Sequence, residues 1–140
     1  MLPEQVSTNW DRIAPLIELS MPPLIKGGRR SMMSNVLRSV LLEELVVWML
    51  YRGTEERAVI STLPQVDAVL LGKTLLIYSF TALKQDLTQR EALKVFMTLD
   101  KYARSLGCDS IVAYSDLPQV VEFLKRHGAD TSFNFITFAL

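Results

Sequence analysis

The spacing of apolar residues changes period near residue 44, and that change constrains most of what the chain can become. From Ser31, the residues Met32, Met33, Val36, Leu37, Val40 and Leu41 recur at the step of an amphipathic helix, with Ser34, Asn35, Arg38 and Ser39 on its other side. Leu45–Tyr51 (LVVWMLY) is then short, β-branched and aromatic, the pattern of a buried strand. Arg52-Gly53-Thr54-Glu55-Glu56 reads as a turn and Arg57–Leu63 as the returning strand, which Pro64-Gln65 is expected to end. Thr74–Leu83 (TLLIYSFTAL) is the longest strand candidate.

Helix signals surround this β-rich centre. Ser7, Thr8 and Asn9 precede Trp10, Ile13, Ala14 and Ile17 at helical spacing, and Pro15 predicts a kink near Ala14. Thr88-Gln89-Arg90-Glu91 matches a capping box opening a long helix to about Leu106, which Gly107 stops. Ser110–Tyr114 reads as a strand, Leu117–His127 as a helix and Thr131–Leu140 as a last, unusually apolar strand. The order α-α-β-β-β-α-β-α-β predicts one α/β (α+β) domain over residues 1–140. Its mixed sheet is antiparallel early and parallel where the long helix crosses between Thr74–Leu83 and Ser110–Tyr114, with helices on both faces.

Composition narrows the function classes. The 140 residues are 49% apolar, enough for a core, and carry 15 basic and 15 acidic residues. A zero balance argues against duplex nucleic acid, which needs a basic face. One cysteine, Cys108, allows no intrachain disulfide, and with one histidine, His127, no structural zinc set. The longest apolar tract, Val40–Leu50, is cut by Glu43 and Glu44 and falls short of the roughly 18 residues of a membrane span. With no signal-peptide pattern at Met1–Gln5, a cytoplasmic protein is expected.

The order of elements, the opening Ser7–Ile17 (STNWDRIAPLI) and the segment Val120–Ala129 (VVEFLKRHGA) resemble the GNAT-type N-acyltransferases over nearly the whole chain. The resemblance implies that acetyl-coenzyme A, if used, lies between two splayed parallel strands. Its pyrophosphate would be held by a glycine-rich loop at the start of the long helix, where free amides and the helix dipole attract phosphate. The matching stretch, Leu83-Lys84-Gln85-Asp86-Leu87-Thr88-Gln89-Arg90, contains no glycine, and Asp86 places a negative charge there. Lys84, Gln85, Thr88, Gln89 and Arg90 are the residues that the resemblance assigns to the cofactor. The family's tyrosine, four residues before the glycine of the last helix, is replaced by Leu124. If the chain is active, Tyr114 is the candidate acid and Glu43 or Glu44 the candidate base, although two glutamates closing the second helix in solvent are the simpler account of the latter pair.

Other motifs carry less chemistry. Lys26-Gly27-Gly28-Arg29-Arg30 suits an anion but lacks the ending of a P-loop, and a solvated loop explains it. Ser115, Asp116 and His127 lack the elbow of a hydrolase nucleophile. The expectation is therefore a degenerate, non-catalytic GNAT-like protein without a cofactor, working through a protein partner or a second copy. The alternative is an acetyl-coenzyme A-dependent N-acetyltransferase with an atypical loop. Phe123–Ala129 also resembles small internal virion proteins of tailed phages, which implies a bacteriophage structural role and a place in the virion. The Phe-rich run Phe133–Leu140 needs cover, and its burial in an assembly is expected.

Overall fold

Three consecutive apolar strands, covered on both faces, build the centre of the molecule. The computed structural model describes residues 1–19, 29–69, 71–84, 86–113, 118–132, 136 and 138. The elements are α1 (Pro3–Thr8), α2 (Trp10–Leu19), α3 (Arg29–Leu41), β1 (Val46–Arg52), β2 (Glu55–Val66), β3 (Lys73–Ala82), α4 (Gln89–Ser105), β4 (Ser110–Ala113) and α5 (Pro118–Arg126). The sheet order is β1-β2-β3-β4. The first two pairings are antiparallel, and β4 lies parallel to β3, with Thr74–Ile77 opposite Ser110–Ala113.

Two cores flank the sheet because its strands alternate. Val47 and Val59 point to one face, where Val6, Ile13, Ile17, Met33, Val36 and Val40 of α1–α3 bury them. Leu50, Ala58 and Ile60 point to the other, under Leu99 and Val95 of α4. Trp48 fixes α4 on the sheet, stacking edge-on against Tyr102 at 4.9 Å while its Nε1 donates to Thr62 Oγ1 at 2.9 Å. The end of α4 is set by Gly107 at φ 75°, whose left-handed backbone lets Gly107 N reach Arg104 O and Cys108 N reach Ala103 O. Lys73 Nζ then donates to Leu106 O at 2.9 Å, joining the helix end to the start of β3.

Three expectations change. The N-terminal helices break at Asn9 rather than at Pro15, and α2 runs through the proline. Pro15 and Asp11 both lie on the exposed side, so the carbonyl left without a donor faces water. Pro64 does not end β2 but sits within it, opposite Leu75. Pairing with β1 stops at Thr62, so Pro64 occupies an edge-like position where a missing amide is tolerated. At the C-terminus, Thr131 and Ser132 are not in a strand, and Ile136 and Phe138 are 74% and 86% exposed. Asp130 accepts from Ser132 N and Ser132 Oγ, a local turn that competes with extended pairing at the point where the strand was expected to begin. The rest of that run lies outside the described residues, as do Tyr114 and most of Lys26–Arg30. Among the described residues, no helix is long and apolar enough to cross a membrane.

The two-core arrangement predicts a steep asymmetry in mutational cost. Ile60→Ala, at a position 1% exposed, should lower the unfolding free energy by about 3 kcal/mol. Val69→Ser, at an exposed turn, should stay within about 0.5 kcal/mol. Urea denaturation followed by tryptophan fluorescence measures both.

Candidate functional site

The C-terminal ends of β3 and β4 and the start of α4 meet at one end of the sheet. Among the described residues, β3–β4 pairing runs to Ile77 and Ala113, while β3 continues to Ala82. A bulge interrupts the β2–β3 ladder at this point, leaving Tyr78 without an opposite residue and packed toward the α1–α3 core. Thr88 caps α4 as its sequence requires. Its hydroxyl accepts from Glu91 N at 3.1 Å, and Glu91 Oε1 accepts from Thr88 N at 3.2 Å.

A residue without a role in the sequence reading organises this corner. Arg57, at the start of β2, is 1% exposed, and each of its guanidinium nitrogens donates to the chain's own oxygens. Nε reaches Glu91 Oε2 at 3.2 Å, Nη1 reaches Glu55 Oε1 at 3.1 Å, and Nη2 reaches Asp86 Oδ1 at 2.8 Å and Asp86 O at 3.2 Å. Arg52 adds a second bond to Glu91 and lies 3.9 Å from Asp86, while Lys84 Nζ stands 4.0 Å from Glu55. Arg57, Arg52 and Lys84 thus balance Glu55, Asp86 and Glu91, and the corner is neutral.

Its titration follows from this geometry. Burial alone would raise the Glu91 carboxyl, but hydrogen bonds from Arg57, Arg52 and the Thr88 amide overcome burial and bring it down to about 2. The Arg57 hydrogen bond also holds Asp86 below the usual carboxylate range. Arg57 itself is pushed further up, chiefly by Glu91. It stays charged at every pH at which the protein is folded.

The residues assigned from sequence are only partly brought together. Lys84, Thr88, Gln89 and Arg90 stand in the loop and first turn of α4, all exposed. Gln85 and Tyr114 lie outside the described residues. Glu43 and Glu44 are exposed in the turn after α3, Glu43 with φ 60°. They precede β1, whereas Arg52 ends it, and a strand of seven residues separates the two ends by roughly 20 Å. The structure therefore does not place these glutamates beside the α4 N-terminus. Sequence reasoning missed Arg57, the third residue of β2, because its partners Asp86 and Glu91 lie far along the chain.

The neutral corner predicts an acid-sensitive stability. Glu91 has a lower pKa folded than its ordinary value of 4.5, so the unfolded chain takes up this proton first. Its contribution is complete above pH 4.5 and is lost as pH falls through about 2. Thermal unfolding by circular dichroism should show the midpoint falling across that window. Arg57→Gln should unfold at a lower temperature at neutral pH and show a smaller further loss on acidification.

No family model and no curated protein matches the sequence. Solved structures do match. A predicted acetyltransferase of Clostridium acetobutylicum, solved with acetyl-CoA, is similar over 98% of this chain and 91% of its own, with a TM-score of 0.70 and 13% identity. A GNAT family acetyltransferase of Staphylococcus aureus is similar over 95% and 93%, with a TM-score of 0.65 and 9% identity. Glucosamine-6-phosphate N-acetyltransferase of Arabidopsis thaliana is similar over 95% and 92%, with a TM-score of 0.63 and 15% identity. At these identities the likeness is one of architecture, and nearly the whole chain takes part in it: the protein has the GNAT acetyltransferase fold.

Proposed function

We propose that the protein is a GNAT-fold binding component that does not hold acetyl-coenzyme A and works through contacts with other proteins. One observation carries this reading: at the start of α4 the chain's own Asp86, Glu91 and Arg57 are engaged with one another. A diphosphate is held at a helix start by free amides, close backbone and available cations. Here the Thr88 and Glu91 amides are engaged in the capping box. The buried cation has its donors taken, and two carboxylates stand where phosphate oxygens would approach. The residues do not fit the group. No glycine brings the backbone close, and Lys84 faces Glu55.

An interaction role also suits the apolar side of α5, where Val120, Val121, Phe123 and Leu124 are only half-buried and no residue is fully buried. Burial of α5 or of the run after it in an assembly follows from the same reading. A virion is the setting that the likeness of Phe123–Ala129 would name. The competing reading is an active N-acetyltransferase, the activity carried in the names of its structural neighbours.

Isothermal titration with acetyl-coenzyme A separates the two. The expected result is no saturable heat at sub-millimolar concentration, and a single micromolar site would overturn the proposal. Asp86→Gly should remove a carboxylate from the helix start and introduce the missing glycine, giving measurable binding where Arg90→Gln gives none.

A further inference from the structure

A second feature lies on the flank of α4 that faces the β1–β2 hairpin. A cleft of about 690 Å³ runs between them, starting at Thr88 and Glu91 and ending near Lys101. Arg90, Lys94 and Lys101 line it from α4 and Arg52 from β1. The three α4 cations recur at helical spacing, so they share one face and extend over roughly 16 Å. Glu91 is the one carboxylate in the lining, and it is already bonded by Arg57 and Arg52. Among the described residues, no ion pair engages Arg90, Lys94 or Lys101. Between these cations the surface is apolar, with Leu93, Met97 and Tyr51 exposed by 37%, 55% and 47%.

We propose that this cleft binds an extended acidic segment of a partner protein, in which carboxylates alternate with apolar side chains. The inference rests on the reading of the chain as a binding component and names the chemistry of what it binds. A row of free cations calls for an anionic ligand, and its length calls for a linear one: about five extended residues cover it. Leu93 and Met97 call for apolar groups between the charges, and methionine adapts to varied peptide surfaces. Among the described residues β1 is an outer strand of the sheet, and beyond Val47, whose carbonyl accepts from the Met1 amino group, its edge offers peptide groups to an extended chain. A single-stranded nucleic acid fits less well. Its bases need a row of aromatic faces, and Tyr51 is the one aromatic in the lining.

The test is fluorescence anisotropy with a labelled peptide of alternating Glu and Leu, its Gln-for-Glu counterpart and a labelled oligo-dT of similar length. The acidic peptide should bind saturably and weaken as salt is raised toward 0.3 M, as expected for exposed charges. Lys94→Glu with Lys101→Glu should weaken it about tenfold or more. Leu93→Ala with Met97→Ala should weaken it severalfold, and Lys125→Glu on α5 should leave it unchanged. All these positions are exposed, and circular dichroism verifies that each variant folds. Equal binding of the Gln peptide, tighter binding of oligo-dT, no saturable binding, or indifference to either pair of substitutions would overturn the proposal. The two readings fail separately. Acetyl-coenzyme A binding that persists unchanged in the Lys94→Glu, Lys101→Glu variant would remove the cofactor-free reading while leaving the peptide result to stand on its own.

Discussion

The buried guanidinium of Arg57 is the constraint on which one end of the molecule depends. It sits where the β1–β2 hairpin, the loop after β3 and the first turn of α4 converge, and it bonds to a residue from each of the last two. A buried cation without partners would be strongly unfavourable, so the loop must bring Asp86 and the helix must bring Glu91 to it. That requirement fixes where α4 begins relative to the sheet. The apolar contacts of Leu99 and Val95 then fix how it lies. Such a cluster is weak grounds for high stability, since an apolar replacement of similar volume is often as stable. Its consequence is positional: the chain cannot slide α4 along the sheet without leaving a charge unpaired.

The same cluster occupies the start of α4 with the chain's own charged groups. A helix start is a site of positive potential, and a protein can direct that potential to a ligand or satisfy it internally. Here the satisfaction is internal and doubled. Thr88 and Glu91 close the capping box, and Glu91 also receives two arginines. The two apolar cores are built from other residues, and neither Asp86 nor Glu91 contributes to them. The architecture is shared with the solved acetyltransferase at a TM-score of 0.70 and 13% identity.

Much of the fold was legible because local signals agreed with the global one. The capping box at Thr88, the stop at Gly107 and the alternation in Leu45–Tyr51 each depend on residues close in sequence. The parallel placement of Ser110–Ala113 beside β3 followed from the length of the intervening helix. Pro64 and Pro15 misled for one reason. A proline breaks an element only where its missing amide was needed, and need is set by neighbours that come from elsewhere in the chain. Arg57 was illegible in the same way. Its partners lie 29 and 34 residues downstream, and nothing in Arg57–Leu63 alone distinguishes a buried arginine from a strand-end cation in solvent.

Charge is distributed over α4 in a way that composition conceals. The chain sums to zero, yet Glu91 at the start of α4 belongs to a closed cluster while the face toward the cleft carries Arg90, Lys94 and Lys101. Glu91 stands between the two and belongs electrically to the first, because Arg57 and Arg52 already screen it. Removing that carboxylate from the cleft's own balance leaves the cleft cationic. The buried arginine therefore acts at two places: it engages the carboxylates at the helix start, and by holding Glu91 it leaves the neighbouring cations without a carboxylate of their own. A ligand that answers the second effect need not compete with the first.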